Sequence, residues 1–242
     1  MKILAFDSSN LPLTVGIIED DKILTEQIIN IKRNHSIQLM PAIDEALKQT
    51  NLTLKDIDRI AVAAGPGSYT GLRIAVTVAK SLAWAQDIEL VGLSSLKVLA
   101  ANSFAKDNTY IVPIFDARRK NIYTGLYRRN EKNELIQVEE DTHIASEKWA
   151  AYLATLDAKF ELVGQDAYEF YEVFQGTLGD RVSLASPTQS VPKASHLAFL
   201  SQQEEATPIH KFVPTYLKLA EAEENWLEAN PDFKGEDWVE KV

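Results

Sequence analysis

The sequence predicts an α/β protein built as two tandem lobes, each running βββαβαβα. Three observations carry this. Residues 60–86 read as one supersecondary unit: the apolar run Ile60–Ala64, the turn Gly65-Pro66-Gly67-Ser68-Tyr69-Thr70-Gly71-Leu72-Arg73, and an alanine-rich stretch free of Gly and Pro through Gln86. The order of strand and helix patterns before residue 105 recurs after it. Ile114-Phe115-Asp116 also resembles Ala5-Phe6-Asp7 at an offset of 109, which carries Gly16 onto Gly125 and Ile17 onto Leu126.

In the first cycle, Lys2–Ser8 is a short apolar strand ending in the turn cluster Asp7-Ser8-Ser9-Asn10. Leu13–Ile18 is the second strand, and Asp20-Asp21 turns the chain into a third, Lys22–Ile29. Asn34–Gln49 is amphipathic, with Leu39, Met40, Ile43, Ala46 and Leu47 on one side. Pro41 is expected to kink this helix or mark its effective start. After the Ile60 strand and the helix that follows it, Glu89–Leu93 is a strand and Ser94-Ser95 caps a helix over Leu96–Phe104.

The second cycle begins at Thr109. Asn121–Arg128 and Leu135–Glu139 are strands around the turn Asn130–Asn133. Ser146–Leu156 is helical, Phe160–Val163 a strand, Ala167–Phe174 a short helix and Arg181–Ala185 the last strand. A helix starts at Pro192, since Pro is favoured at the first helical position, and runs to about Gln203. The expected organisation is a first lobe over 1–105, a smaller second lobe over 106–190, a segment 191–220 packing back on the first lobe, and an acidic tail over 221–242.

Composition narrows the function. The chain of 242 residues has no cysteine, which excludes disulfides, thiolate metal sites and cysteine nucleophiles. Asp7 ends the first apolar run far short of a signal peptide or membrane span, so a cytoplasmic protein is expected. Net charge is −10. From Glu221 onward eight acids face Lys234 and Lys241. Nucleic acid binding rests on Lys and Arg neutralising phosphates. The basic runs here are Arg118-Arg119-Lys120 and Arg128-Arg129, so independent binding of tRNA or DNA is not expected. His35, His143, His196 and His210 lack the i, i+4 spacing of a helical metal site, and no metal or cofactor is expected. There is no Gly-x-Ser-x-Gly elbow for a serine nucleophile.

Two candidate sites follow. Asp7, Gly65, Gly67, Ser68, Thr70, Gly71 and Asp116 form a possible weak nucleotide or anion loop, because Ser68 or Thr70 caps a helix whose free amides and dipole favour an anion. The turn lacks the Lys of a P-loop and the spacing of a dinucleotide fingerprint, and Asp7 can equally bond its own turn amides. The second site is a helix face. Ile74, Val78, Leu82, Ala75, Ala79, Leu72, Ala83 and Val76 span an arc of roughly 200°, where packing on one sheet needs about 100°. Ala75, Ala79 and Ala83 make a smooth strip. Together with Leu39, Met40, Ile43, Leu47, Arg73, Val76 and Lys80, they are expected to bind a partner helix pair.

Two tandem βββαβαβα lobes match the architecture of actin, the sugar kinases and the Hsp70 ATPase, in which ligands sit between the lobes. Phe6-Asp7-Ser8-Ser9, the Gly65–Arg73 turn, Val91-Gly92-Leu93-Ser94-Ser95-Leu96, Phe115-Asp116-Ala117-Arg118, Ile122-Tyr123-Thr124-Gly125, Pro214-Thr215-Tyr216-Leu217-Lys218 and Glu221-Ala222-Glu223 together resemble the bacterial TsaB (YeaZ) family of tRNA threonylcarbamoyladenosine biosynthesis proteins. The resemblance covers residues 1 to about 223. Gly164-Gln165-Asp166-Ala167 departs from a more glycine-rich turn, and the tail with Trp226 and Trp238 is an extension.

The resemblance implies a non-catalytic paralogue of TsaD, the enzyme that transfers a threonylcarbamoyl group to an adenosine beside the tRNA anticodon. It implies pairing with a TsaD-like paralogue and a TsaE-like ATPase, with self-pairing as a homodimer when the paralogue is absent. The metal-binding histidines of the catalytic paralogue fall on Ser95 and Leu99, and Leu99 has no ligand atom. A small-molecule kinase or ATPase using the interlobe cleft is the alternative. A metallopeptidase is a third class, against which the histidine spacing argues.

Overall fold

The computed structural model describes residues 1–31, 35–106 and 108–218. The first half holds β1 (Lys2–Asp7), β2 (Leu13–Glu19), β3 (Lys22–Ile29), α1 (His35–Gln49), β4 (Arg59–Gly65), α2 (Tyr69–Gln86), β5 (Glu89–Ser94) and α3 (Ser95–Ala100). The second holds β6 (Thr109–Asp116), β7 (Asn121–Arg129), β8 (Leu135–Ala145), α4 (Ser146–Ala154), β9 (Lys159–Val163), α5 (Ala167–Leu178), β10 (Val182–Leu184) and α6 (Ala194–Ser201). Both halves run βββαβαβα, as expected. The sheets are ordered β3-β2-β1-β4-β5 and β10-β9-β6-β7-β8. In each, two antiparallel hairpin pairs lead into two parallel ones.

Strand sequence sets which side of the sheet each residue serves. Along β1, Leu4 and Phe6 join one core while Ile3 and Ala5 join another on the opposite face. β4 does the same with Ile60, Val62 and Ala64 against Ala61 and Ala63. Its unbroken apolar run is that of a parallel strand covered on both faces. α1 and α2 cover one face of the first sheet, and α6 covers the other. On the second sheet α4 and α5 cover one face, and α3 packs on the other against β6 and β7. Each sheet is therefore closed by a helix from the opposite half of the chain.

The chain then crosses the first lobe again. The amide of Thr207 donates to Leu90 O at 2.8 Å and that of Thr215 to Ala64 O at 2.7 Å. Phe212 enters the first core. Gly92 makes room for it: a Cβ there would lie 2.2 Å from the Phe212 ring. Arg59 anchors α6, with its guanidinium bonded to Glu89 and to the carbonyl oxygens of Ser201 and Glu204.

Several boundaries differ from those expected. α1 runs through Pro41 rather than starting there, and Asn34 lies outside the described residues. Pro41 is in the second turn of α1, where the missing amide costs one bond that packing of Leu39, Ala42 and Ile43 outweighs. α3 stops at Ala100 because Asn102 and Ser103 turn their side chains to Val191 and Glu161 in the second half. β8 extends to Ala145 through two register shifts against β7. α6 begins at Ala194, after Lys193, and not at Pro192. The acidic tail with Trp226 and Trp238 lies outside the described residues.

Gly92→Ala should cost about 1–3 kcal/mol, the usual penalty for overpacking a filled core. Urea unfolding followed by circular dichroism measures it, and a variant as stable as the parent would show that Phe212 does not need the space.

Candidate functional site

The turn after β4 is a junction of three chain segments. Ser68 caps α2, its side chain accepting from the Gly71 amide at 3.3 Å. The Ser68 amide donates to Ser9 O at 2.6 Å, and the Ser8 hydroxyl donates to Gly71 O at 2.9 Å. A Cβ on Gly65 (φ 125°) would lie 2.2 Å from Thr215 O, and one on Gly71 would lie 2.0 Å from Ser8 O. The close approaches these glycines permit are to the chain's own backbone. Of the expected anion loop, Ser68, Thr70 and Gly71 border a cavity of about 370 Å³ with Asn10, Leu11, His35, Ile74 and Arg118. Gly65 and Gly67 do not line it.

Asp7 is buried at the end of β1, and its Oδ1 accepts the Ser9 amide at 2.7 Å. Burial pushes its carboxyl above the usual range, and Oδ2 has no partner. Asp116 is half-buried and accepts the Arg118 amide at 2.8 Å. Asp166 ties the two halves here: its Oδ2 accepts from the Asp116 amide at 2.9 Å and from Asn10 Nδ2 at 3.4 Å. The sequence reading quoted Asp166 only as a departure within a turn. An Asp directly before a helix was its one signal.

The helix face needs correction. Ala75, Ala79 and Ala83 are fully buried in the chain's own core, and Leu39, Ile43 and Val76 are buried there too. The apolar arc of α2 exceeds what a sheet requires because α1 and the returning segment with Ile209 and Phe212 cover the excess. Lys80 is held by Phe212 O at 2.7 Å, and Leu47 is packed against the same core. What faces outward is different: Trp84 is 71% exposed, Ile37 70% and Met40 46%. Arg73 is exposed, and Ile74, Val78 and Leu82 are half-buried. At the start of α2, Arg73 lies 4.1 Å over the Tyr69 ring and donates to the Tyr216 hydroxyl at 3.1 Å, while Tyr69 and Tyr216 sit 5.0 Å apart. These contacts fix the returning chain beside that outward face.

A second polar cluster lies between the lobes. Asp141 on β8 accepts from Ser94, the cap of α3, and from Tyr127 and Gln137. Burial raises the Asp141 carboxyl, and burial with the neighbouring Asp141 raises the Tyr127 phenol. Ser95 and Leu99 are both fully buried, with Leu99 in the core that α3 shares with the second sheet. The histidines serve separate places: His35 lies 3.1 Å from Leu11 O, the His143 ring lies tilted against Tyr123 at 5.3 Å, His196 is lowered to about 4 by burial, and His210 is exposed. Among the described residues no helix is long and apolar enough to cross a membrane.

Comparison with known proteins agrees with this architecture. The family described as TsaD, tRNA N6-adenosine threonylcarbamoyltransferase, matches residues 22–226. A Bacillus subtilis relative, tRNA threonylcarbamoyladenosine biosynthesis protein TsaB, is 42% identical over 95% of this chain and 99% of its own. The solved structure of YeaZ from Pseudomonas aeruginosa superposes with a TM-score of 0.76 at 24% identity, covering 89% of this chain and 99% of that one. A ROK hexokinase from Thermus thermophilus shares the fold at a TM-score of 0.50 and 12% identity, over 84% of this chain and 100% of its own.

The buried Asp7 makes a test of charge at this site. A carboxyl whose folded pKa is raised loses stability as pH climbs from the unfolded value through the folded one. Asp7→Asn removes that penalty, so its melting temperature should match the parent near pH 3 and exceed it at pH 7. Thermal melts of both proteins from pH 3 to 8 measure the gap. A gap that does not change with pH would contradict a burdened carboxylate.

Proposed function

We propose a function from a fixed starting point: the chain belongs to the TsaB family of tRNA threonylcarbamoyladenosine biosynthesis proteins, and we read it as the non-catalytic scaffold and activator subunit of the assembly that makes this modification. Its partners in that reading are a TsaD-like catalytic paralogue and a TsaE-like ATPase in the cytoplasm, with tRNA engaged through the complex. The observation that carries it is the exposure of large apolar side chains on the helix pair, Ile37 (70%) and Met40 near the start of α1 and Trp84 (71%) in the last turn of α2. Large apolar side chains left exposed along a helix pair are material for a protein interaction site. A paralogue with the same fold has the same helix pair, and a two-fold arrangement of two such pairs makes a four-helix bundle. The same face supports self-pairing when the paralogue is absent.

Lack of turnover in the isolated chain is part of the reading. Leu99, at one of the two positions that the resemblance assigns to metal-binding histidines of the catalytic paralogue, is a core side chain. The competing reading is a small-molecule kinase or ATPase working in the interlobe cleft, and the cavity bordered by Ser68, Thr70 and Arg118 is where it would act. The purified chain is expected to show neither threonylcarbamoyl transfer nor ATP hydrolysis. Metal-dependent turnover that survives repurification would favour the enzyme.

The interface has its own test. Trp84→Glu combined with Met40→Glu should leave circular dichroism unchanged, because both side chains are exposed. It should weaken binding of the paralogue about 30-fold or more in titration calorimetry, the loss expected when an aromatic anchor is removed from an interface. Unchanged affinity in a folded variant would move the interface elsewhere.

A further inference from the structure

Among the described residues, eight that are not glycine have positive φ. Five are the residues that tolerate this conformation: Asp20, Asn51, Asp87, Asn108 and Asn133. The other three are consecutive and cationic: Arg118 (φ 70°), Arg119 (φ 53°) and Lys120 (φ 62°). Elsewhere the chain meets the demand for a left-handed residue with Asn or Asp; in the β6–β7 turn it holds three long cations in that conformation. The backbone is pinned there by the Ala117 amide on Asn121 O and the Asn121 amide on Arg118 O, both at 2.9 Å, and by the Ser146 amide on Lys120 O at 3.0 Å. Strained backbone that the surroundings enforce is a pointer to function, because a turn alone would be more stable with Asn or Gly.

The side chains explain the choice. All three residues are exposed, on a protein whose net charge is −10. The Arg118 side chain is 85% exposed, so its 3.4 Å pairing with Asp116 holds it weakly. The turn stands at the mouth of the interlobe cleft between two cavities. In the one toward α4 and α5, of about 390 Å³, Glu147 and Glu169 share the lining with the three cations and repel an anion. In the one toward the first lobe, Arg118 meets His35 and the capped start of α2 at Ser68, and none of the described residues of its wall is a carboxylate. A polyanion is thus directed along the turn toward the first lobe. That side adjoins the outward face of α1 and α2.

We propose that Arg118, Arg119 and Lys120 contact the phosphodiester backbone of tRNA, making this turn the point at which the subunit itself touches the RNA in the assembled complex. Three cations neutralise too few phosphates for stable binding by the chain alone, but they add to the basic surface of a partner. The proposal rests on the scaffold reading above.

The test uses the triple variant Arg118→Asn, Arg119→Asn, Lys120→Asn, which removes the charges while placing a residue that accepts the left-handed conformation at each position. A companion, Arg118→Lys with Arg119→Lys, keeps the charges. Paralogue affinity is read by calorimetry, and tRNA affinity of the reconstituted complex by filter binding from 50 to 200 mM salt. The expected result is an Asn triple variant that melts no lower than the parent and binds the paralogue normally. Its tRNA affinity should fall at least tenfold at 50 mM salt, and the slope of log K against log salt should shrink by about 2, as three lost phosphate contacts require. The Lys variant should keep most of the parent's affinity, and millimolar ATP should not displace the RNA from either protein. Unchanged tRNA affinity and salt slope in the folded triple variant would overturn the proposal. Loss of paralogue binding by that variant would also overturn it, showing that the turn faces an acidic protein surface instead. Displacement by ATP would assign the turn to a free nucleotide. If the parent chain fails to bind the paralogue, the scaffold reading is what fails. The same comparison is then made on the chain alone at 20 mM salt, where equal retention of tRNA by parent and Asn variant would sink the RNA contact.

Discussion

Neither sheet can be covered by its own half of the chain, and the rest of the molecule follows from this. The central strands are apolar on both sides, so each sheet needs helices on both faces. α1 and α2 supply one face of the first sheet, and α4 and α5 one face of the second. The remaining faces are filled by exchange, with α6 on the first sheet and α3 on the second. The exchange brings polar groups into the seam between the lobes. There Asn102, Ser103 and Arg129 bond across to Val191, Glu161 and the carbonyls of Ser103 and Ala101. Breaking these bonds would leave buried polar groups unmet, which favours this seating of the lobes, although Asn102 Oδ1 has no partner in it.

That seam bears on what the cleft does. Asn10 and the Asp116 amide, from the two equivalent hairpins, converge on one carboxylate oxygen of Asp166. Ser94, the cap of α3, and Tyr127 of the second half converge on Asp141. Side chains of the chain itself therefore occupy the contacts that join the hairpins. On the first lobe the returning segment is pinned to α2 by Tyr216 and Lys80, which leaves a firm surface on that side.

Much of this was legible in the sequence where one residue pattern has one physical solution. An apolar run of strand length followed by glycines and a capped helix folds as such a unit, and the 109-residue repeat carried the architecture to the second half. The alanine strip was misread because periodicity reports how wide an apolar arc is, not which element covers it. The cover came from α1 and from Phe212, more than a hundred residues away. β8 was read too short because its far end carries the unbroken polar run Glu139–His143, which pairs with β7 across bulges. Asp141 left no local signature and Asp166 only its place directly before a helix, since each acts through a partner that only the tertiary fold brings near. The cap of α2 was narrowed to Ser68 or Thr70 and is Ser68, an interaction that spans three residues.

The helix exchange has a consequence for the order in which the protein is made. When β5 leaves the ribosome, the face of the first sheet carrying Ile3, Ala5, Ala61, Ala63 and Val91 has no cover, because Ala194, Leu197 and Ala198 are still about a hundred residues from synthesis. At ordinary elongation rates that interval is roughly 5–20 s. During it the nascent first lobe presents an apolar sheet surface that stays open to chaperones or to wrong pairings until α6 arrives. The first lobe comes first in sequence but is completed last.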